Sequence, residues 1–223
     1  MSAKEPVVVF WSGGKDSALA LDAIRADCDV LALLTTLNEE DGRSGMHRVR
    51  RELLGQQAAA LGLPLQFIRL PAFPPNALYE DRVCAALRPF LPQGVRRAVF
   101  GDLFLEDIRA WRDALLRPLG MEAWYPLWGR DTAALAQEFL SRSYRAALVC
   151  VDARRLDARF AGREFDAALL RELPASVDPC GENGEFHTFV FDGPGFTGGP
   201  VAFTRGDVAA EGNFVYQDLL AVP

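Results

Sequence analysis

The chain has 223 residues, 50% of them hydrophobic and 24% charged, the balance of a globular protein large enough to bury a core without disulfides or structural metal. Its 24 basic and 30 acidic residues leave a net charge of −6, which disfavours a nucleic-acid partner. No run approaches the roughly 18 apolar residues of a membrane span, the start Met1-Ser2-Ala3-Lys4-Glu5-Pro6 lacks a signal peptide's segments, and Cys28, Cys84, Cys150 and Cys180 form no C-x-x-C pair, so we expect a cytoplasmic protein with free thiols and no membrane contact.

Val7 to Trp11 is a continuous apolar run that reads as a buried parallel strand entering a glycine turn, followed by a helix from Ser17 to Arg25. A second strand is expected over Val30 to Leu37, then a polar loop from Asn38 to Gly45 and a helix from about His47 to Leu61. A third strand, Leu65 to Leu70, leads through Pro71, Pro74 and Pro75 into a helix from about Ala77 to Leu91. Arg97 to Asp102 is the fourth strand. Strands alternating with helices predict an α/β, Rossmann-like (HUP-type) fold with a five-stranded parallel sheet of order 3-2-1-4-5. The alternation loosens near residue 120, which divides the chain into an N-terminal α/β domain, 1–122, and a smaller mixed α+β domain, 123–223. In the latter we expect a helix from Thr132 to Arg142, a strand from Ala146 to Val151, and antiparallel strands such as Phe186 to Phe191 and Val201 to Thr204 between glycine and proline turns. Trp124 and Trp128 read as packing residues.

Ser12-Gly13-Gly14-Lys15-Asp16-Ser17 lies where the first strand meets the first helix. The glycines permit a tight turn and close approach of backbone to ligand. Their amides, the helix N-terminus, the Lys15 cation and the Ser12 and Ser17 hydroxyls together suit a phosphate or pyrophosphate. Asp16 repels phosphate unless it acts through Mg²⁺ or orients the loop. Val9 stands where a Walker loop has glycine, so a different cleavage chemistry is indicated. The segment resembles the S-G-G-x-D-S signature of the PP-loop, or N-type ATP pyrophosphatase, superfamily, whose members split ATP to AMP and pyrophosphate while adenylating a substrate oxygen. In the expected strand order the fourth strand flanks the first, so Asp102 at its end falls beside this loop, in reach of Mg²⁺ or substrate.

Near the C-terminus Gly181-Glu182-Asn183-Gly184-Glu185-Phe186-His187-Thr188-Phe189-Val190, followed by Asp192-Gly193-Pro194, packs carboxylates, an amide, an imidazole and a hydroxyl into a glycine-hinged turn. With the phosphate loop and Pro126-Leu127-Trp128, this pattern resembles the diphthine–ammonia ligase family over about residues 7 to 196. The resemblance implies an ATP-dependent, AMP-forming ligase that activates a carboxylate and transfers ammonia to it. It implies ATP and Mg²⁺ as cofactors, and as partners ammonium and a carboxylate that is either a small molecule or protein-borne. Expected catalytic residues are Asp16, Asp102, Glu182, Glu185 and His187. The two glutamates are to hold ammonium or Mg²⁺, His187 is to carry a proton, and Asp16 and Asp102 are metal ligands. Substrate binding falls to His47, Arg109, Arg130, Asn183 and Thr188. After the fourth strand the chain departs from the family's Tyr-Gln pair, reading Leu105-Glu106-Asp107-Ile108-Arg109-Ala110-Trp111-Arg112, and its acidic start suits a cationic or amine-bearing substrate. A homodimer is compatible with the sequence. Two other readings stay open: a nucleotide-binding regulator without turnover, and a PP-loop tRNA-modifying enzyme.

Overall fold

The computed structural model describes residues 4–222; Met1 to Ala3, part of the start taken as lacking a leader, lie outside them. β1 (Glu5–Phe10) passes through the glycine turn into α1 (Lys15–Arg25), and β2 (Cys28–Asn38), α2 (Arg51–Leu61), β3 (Leu65–Leu70), α3 (Asn76–Leu87), β4 (Arg97–Val99), α4 (Glu106–Leu116) and β5 (Glu122–Trp124) follow. The five strands pair in parallel in the order β3-β2-β1-β4-β5, as expected. Both sheet faces are covered, which is why the central strands β1 and β2 carry long apolar runs. Val7, Val9, Leu33 and Val99 face Leu19 and Ile24 of α1 and Leu53 and Leu54 of α2. Val8, Ala32, Ile68 and Ala98 face Val83 and Leu87 of α3 and Leu115 and Leu116 of α4.

The helix expected from His47 begins only at Arg51, because residues 43–50 fold into nested turns. Arg43 bridges Arg50, Leu37 bridges Ser44, and Arg48 takes a left-handed φ of 49° that no helix allows. The third helix stops short of Leu91, where Pro89 and Pro92 remove backbone donors and a 3-10 turn, Arg88–Gln93, takes over. The parallel sheet also reaches past the expected 122/123 division, since β5 runs to Trp124. Three residues are too few to show a period.

Beyond it come α5 (Thr132–Ser141), β6 (Arg145–Asp152), α6 (Ala167–Glu172), β7 (Phe186–Asp192), β8 (Phe203–Glu211) and β9 (Phe214–Ala221), the strands forming an antiparallel sheet in the order β7-β6-β9-β8. β8 is longer than its apolar stub suggested and β9 was not foreseen. A register shift between Arg205 and Val208 breaks the alternation of β8, most of whose residues are exposed. The two sheets share a core: Ala147, Val149, Phe189 and Val190 belong to the same buried cluster as Leu19 and Leu54.

Candidate active site

The glycine turn is fixed from both halves of the molecule. Gly13 takes a φ of 81°, a conformation glycine adopts without strain. Its carbonyl accepts the Val190 amide (2.8 Å) and the Gln57 side-chain amide (2.9 Å), and the Trp11 indole donates to Gln57 Oε1 at 2.7 Å. Gln57 is fully buried in α2 and its amide also reaches the Val190 carbonyl on β7. Inside the loop Gly14 N donates to Ser12 Oγ at 3.1 Å, Ser17 Oγ donates to the Gly14 carbonyl at 2.8 Å, and Lys15 N donates to Thr188 Oγ1 at 3.1 Å. The amides of Gly14 and Lys15, expected to face an anion, are thus occupied by Ser12 and Thr188, as buried donors require. Gly101, after β4, lies directly on the helix start: a Cβ there would stand 2.9 Å from the Asp16 carbonyl carbon and the Ser17 amide. This contact sets Asp102 beside the loop, the juxtaposition expected from the strand order.

A cavity of about 770 Å³ opens at this edge of the sheet, within the usual range for small-molecule sites. Its floor is Ser12, Lys15, Asp16 and Ser17. One wall comes from Phe10, Trp11, Thr35, Thr36 and the 44–47 turn, the other from Phe100 to Asp102, Leu105, Ile108 and Arg112, and residues 180–184 and 186–188 close it. Lys15 is 3% exposed, and its ammonium contacts Asp16 Oδ2 (2.8 Å) and the Cys180 carbonyl, leaving one of three donors for a ligand. Burial works against its charge, but Asp16, with Cys180 and Glu182 adding to it, more than offsets burial and raises the Lys15 pKa.

Three carboxylates line the cavity. Burial raises the Asp16 pKa against the pull of Lys15, and Asp16 Oδ1 is buried without a hydrogen-bond partner. Asp102 is paired with Arg112, Nε to Oδ2 2.9 Å and Nη2 to Oδ1 3.1 Å. Glu182 Oε1 accepts the Leu103 amide at 2.8 Å, yet burial, with Asp16 and Asp102 nearby, pushes its pKa up to about 7. The chain's two histidines, His47 and His187, face each other at 4.7 Å between ring centroids. Burial holds both neutral, His187 down to about 4 and His47 well below the usual imidazole value, with Lys15 adding to each shift and His187 to that of His47.

The structure therefore gathers Ser12, Lys15, Asp16, Ser17, His47, Asp102, Glu182, Asn183, His187 and Thr188 around one cavity, with Gly13 and Gly14 shaping its floor. Three expected residues lie elsewhere. Glu185 is 1% exposed and turns inward, Oε1 accepting from Asp178 N (3.1 Å) and Asn183 Nδ2 (3.2 Å), so it shapes the turn. Arg109 lies against the Trp128 ring, 4.6 Å from its centroid, and Arg112, one turn along α4, lines the cavity in its stead. Arg130 pairs with Glu138 on the exposed side of α5, next to the Asp131 cap. Glu106 and Asp107 are exposed and do not line the cavity, so the acidic helix start faces away from it. Sequence reasoning missed Gln57, Arg112, Arg155 at the cavity edge, and Asp178, which accepts the Cys180 amide at 2.8 Å. None sits in a motif. Among the described residues no group of three or more His, Cys, Asp or Glu is arranged to hold a metal alone, and no helix is long and apolar enough to cross a membrane.

Two family models match the chain, the diphthamide synthase N-terminal domain over residues 5–123 and the diphthamide synthase C-terminal domain over residues 131–198. No curated protein matches it. Among solved structures, a predicted subunit of tRNA methyltransferase from Methanocaldococcus jannaschii is similar at 17% identity, with 85% of this chain and 98% of that one covered and a TM-score of 0.45.

Proposed function

The chain belongs to the diphthamide synthase family, within the PP-loop ATP pyrophosphatases, and from that premise we propose that it is an AMP-forming amide ligase. In its reaction a carboxylate oxygen attacks the α-phosphorus of ATP and pyrophosphate leaves; ammonia then attacks the acyl carbon, and AMP leaves with loss of one proton. The observation that carries this reading is the convergence on one cavity of the phosphate loop, the Asp16 and Asp102 carboxylates, and a Glu182 whose pKa lies near 7.

Mg²⁺ is commonly held by one or two carboxylates together with substrate phosphates. Asp16, with a buried and unpartnered Oδ1, and Asp102 fit that requirement and would hold it. Bound there, Mg²⁺ offsets the negative charge of the phosphates and ATP supplies the adenylyl group. Lys15 presents its remaining donor to the phosphates from a position fixed by Asp16 and the Cys180 carbonyl. Arg112 orients Asp102. Glu182 takes a proton from ammonium and so frees the ammonia that attacks, a task suited to a base that titrates near working pH. His187 stays neutral and offers a ring nitrogen to the acceptor side. A thiolate-dependent base modifier fits less well, since burial pushes the Cys180 thiol up to about 12. The acceptor is a carboxylate, free or protein-borne, and Arg155 at the cavity edge suits its approach.

The test is to incubate the protein with Mg-ATP, ammonium and either diphthine-bearing elongation factor or a small-molecule extract, and follow phosphorus products by NMR. AMP and pyrophosphate that depend on the acceptor and vanish with Asp16→Ala are expected. ADP as product, or tight ATP binding without cleavage under every condition, overturns the ligase reading.

A further inference from the structure

The 44–47 turn that walls the cavity is held from outside the segments matched by the family. Arg43 Nη1 meets Asp218 Oδ1 at 2.8 Å, and Arg50 meets the same carboxylate twice, Nε to Oδ1 at 3.0 Å and Nη2 to Oδ2 at 2.6 Å. Arg48 pairs with Glu211 at 3.0 Å and lies over the Tyr216 ring, 5.4 Å from its centroid. Three arginines of one turn thus end on the β8–β9 hairpin. Arg43 and Arg50 are also the residues whose backbones bridge at the neck of the turn, so Asp218 ties both sides of the neck at once. At the other end of the turn Met46 and His47 line the cavity, and His47 Nε2 stands 2.9 Å from where a Cβ on Gly14 would be.

We propose that Asp218 is a positioning residue: through Arg43 and Arg50 it holds His47 over the phosphate loop, and the β8–β9 hairpin serves as a strap for the nucleotide-facing turn. Asp218 touches no reacting atom. Its carboxylate is bidentate with Arg50 and bonded to Arg43, the geometry in which guanidinium–carboxylate pairs fix orientation as well as energy. Without the strap, the restraints left on His47 are local to the turn, the left-handed Arg48, the bonds between Ser44 and Arg48 and Val49, and the Arg48–Asp41 pair, together with the packing of its ring on His187. The consequence for ATP rests on the ligase reading; the position of His47 does not.

Because the chain has only two histidines, its imidazole Cε1–H resonances report the turn directly. In the unmodified protein both should titrate below the usual imidazole range. In Asp218→Asn the His47 resonance should move back toward about 6.5, and ATP should bind about tenfold more weakly. Asp218→Glu should restore both. Arg50→Gln, which leaves Arg43 on Asp218, should give the same changes in smaller measure and covers the case in which Asp218→Asn does not fold. An unchanged His47 titration in folded Asp218→Asn and Arg50→Gln proteins overturns the proposal. A His47 shift in a protein whose unmodified form binds no ATP supports the strap and sinks the nucleotide reading.

Discussion

Gln57→Met gives a quantitative test of how the site is built. The substitution keeps side-chain length and removes three hydrogen bonds from a fully buried position. The Gly13 carbonyl retains the Val190 amide, but the Trp11 indole N–H loses its recorded partner. One buried donor left unpaired costs about 1–3 kcal/mol, and the loss of the two further bonds about 1 kcal/mol each when their acceptors keep other partners. The variant should therefore be less stable by about 3–5 kcal/mol, a drop in Tm of roughly 6–20 °C at this chain length. Thermal unfolding followed by circular dichroism measures the shift. ATP affinity should fall as well, because the Gly13 carbonyl and β7 are no longer tied through one amide. A Tm within about 2 °C of the parent, with unchanged nucleotide binding, would refute the view that Gln57 joins the phosphate loop to the second sheet.

Other outcomes follow from the same geometry. Glu182→Gln should abolish the limb of the pH–rate profile that rises through about 7, since the carboxylate acts as a base only when ionised; the profile under saturating ammonium checks it. Gly101→Ala sets a methyl 2.9 Å from the backbone of Asp16 and Ser17, and the forced shift should cost about 1–3 kcal/mol and weaken ATP binding, measurable by denaturant titration and calorimetry. The His187 pKa is depressed in the fold, so between about pH 6.5 and about 4 the unfolded chain binds more protons and stability falls as pH drops. His187→Gln should lessen the slope of that part of the stability curve, leaving the share due to His47, as urea unfolding at several pH values would show.

Most of the parallel sheet was legible because β1 and β2 are built on apolar runs and most of its turns carry glycine or proline, signals that act over a few residues; the three residues of β5 carry no such signal. The phosphate loop was legible for the same reason. The side chains that tertiary packing brings to it were not. Arg109 and Arg112 both lie on α4, and only the orientation of the helix decides that Arg112 meets Asp102 while Arg109 covers Trp128. Glu182 and Glu185 look equivalent in sequence, but the positive φ of Gly181 and Gly184 sends them apart, one to the Leu103 amide and one into the turn. Gln57 carries no signal, being one polar residue on an otherwise ordinary helix face. Asp218 is equally silent, since its partners lie 168 and 175 residues away.

These misplacements share a cause with the site's chemistry. The adenylation proposed for it needs a carboxylate, a phosphate chain and a proton acceptor held in one geometry, and such precision comes from rigid elements rather than from loops. Here the loops are made rigid by strands distant in sequence: β7 supplies Val190 and Thr188 to the glycine turn, β4 presses Gly101 against the start of α1, and β9 ties the 44–47 turn. The two sheets share one apolar cluster, so a shift of either sheet would move the phosphate loop relative to Glu182. A change that loosens this joint while sparing every cavity side chain should therefore lower turnover more than it lowers the affinity for either substrate alone.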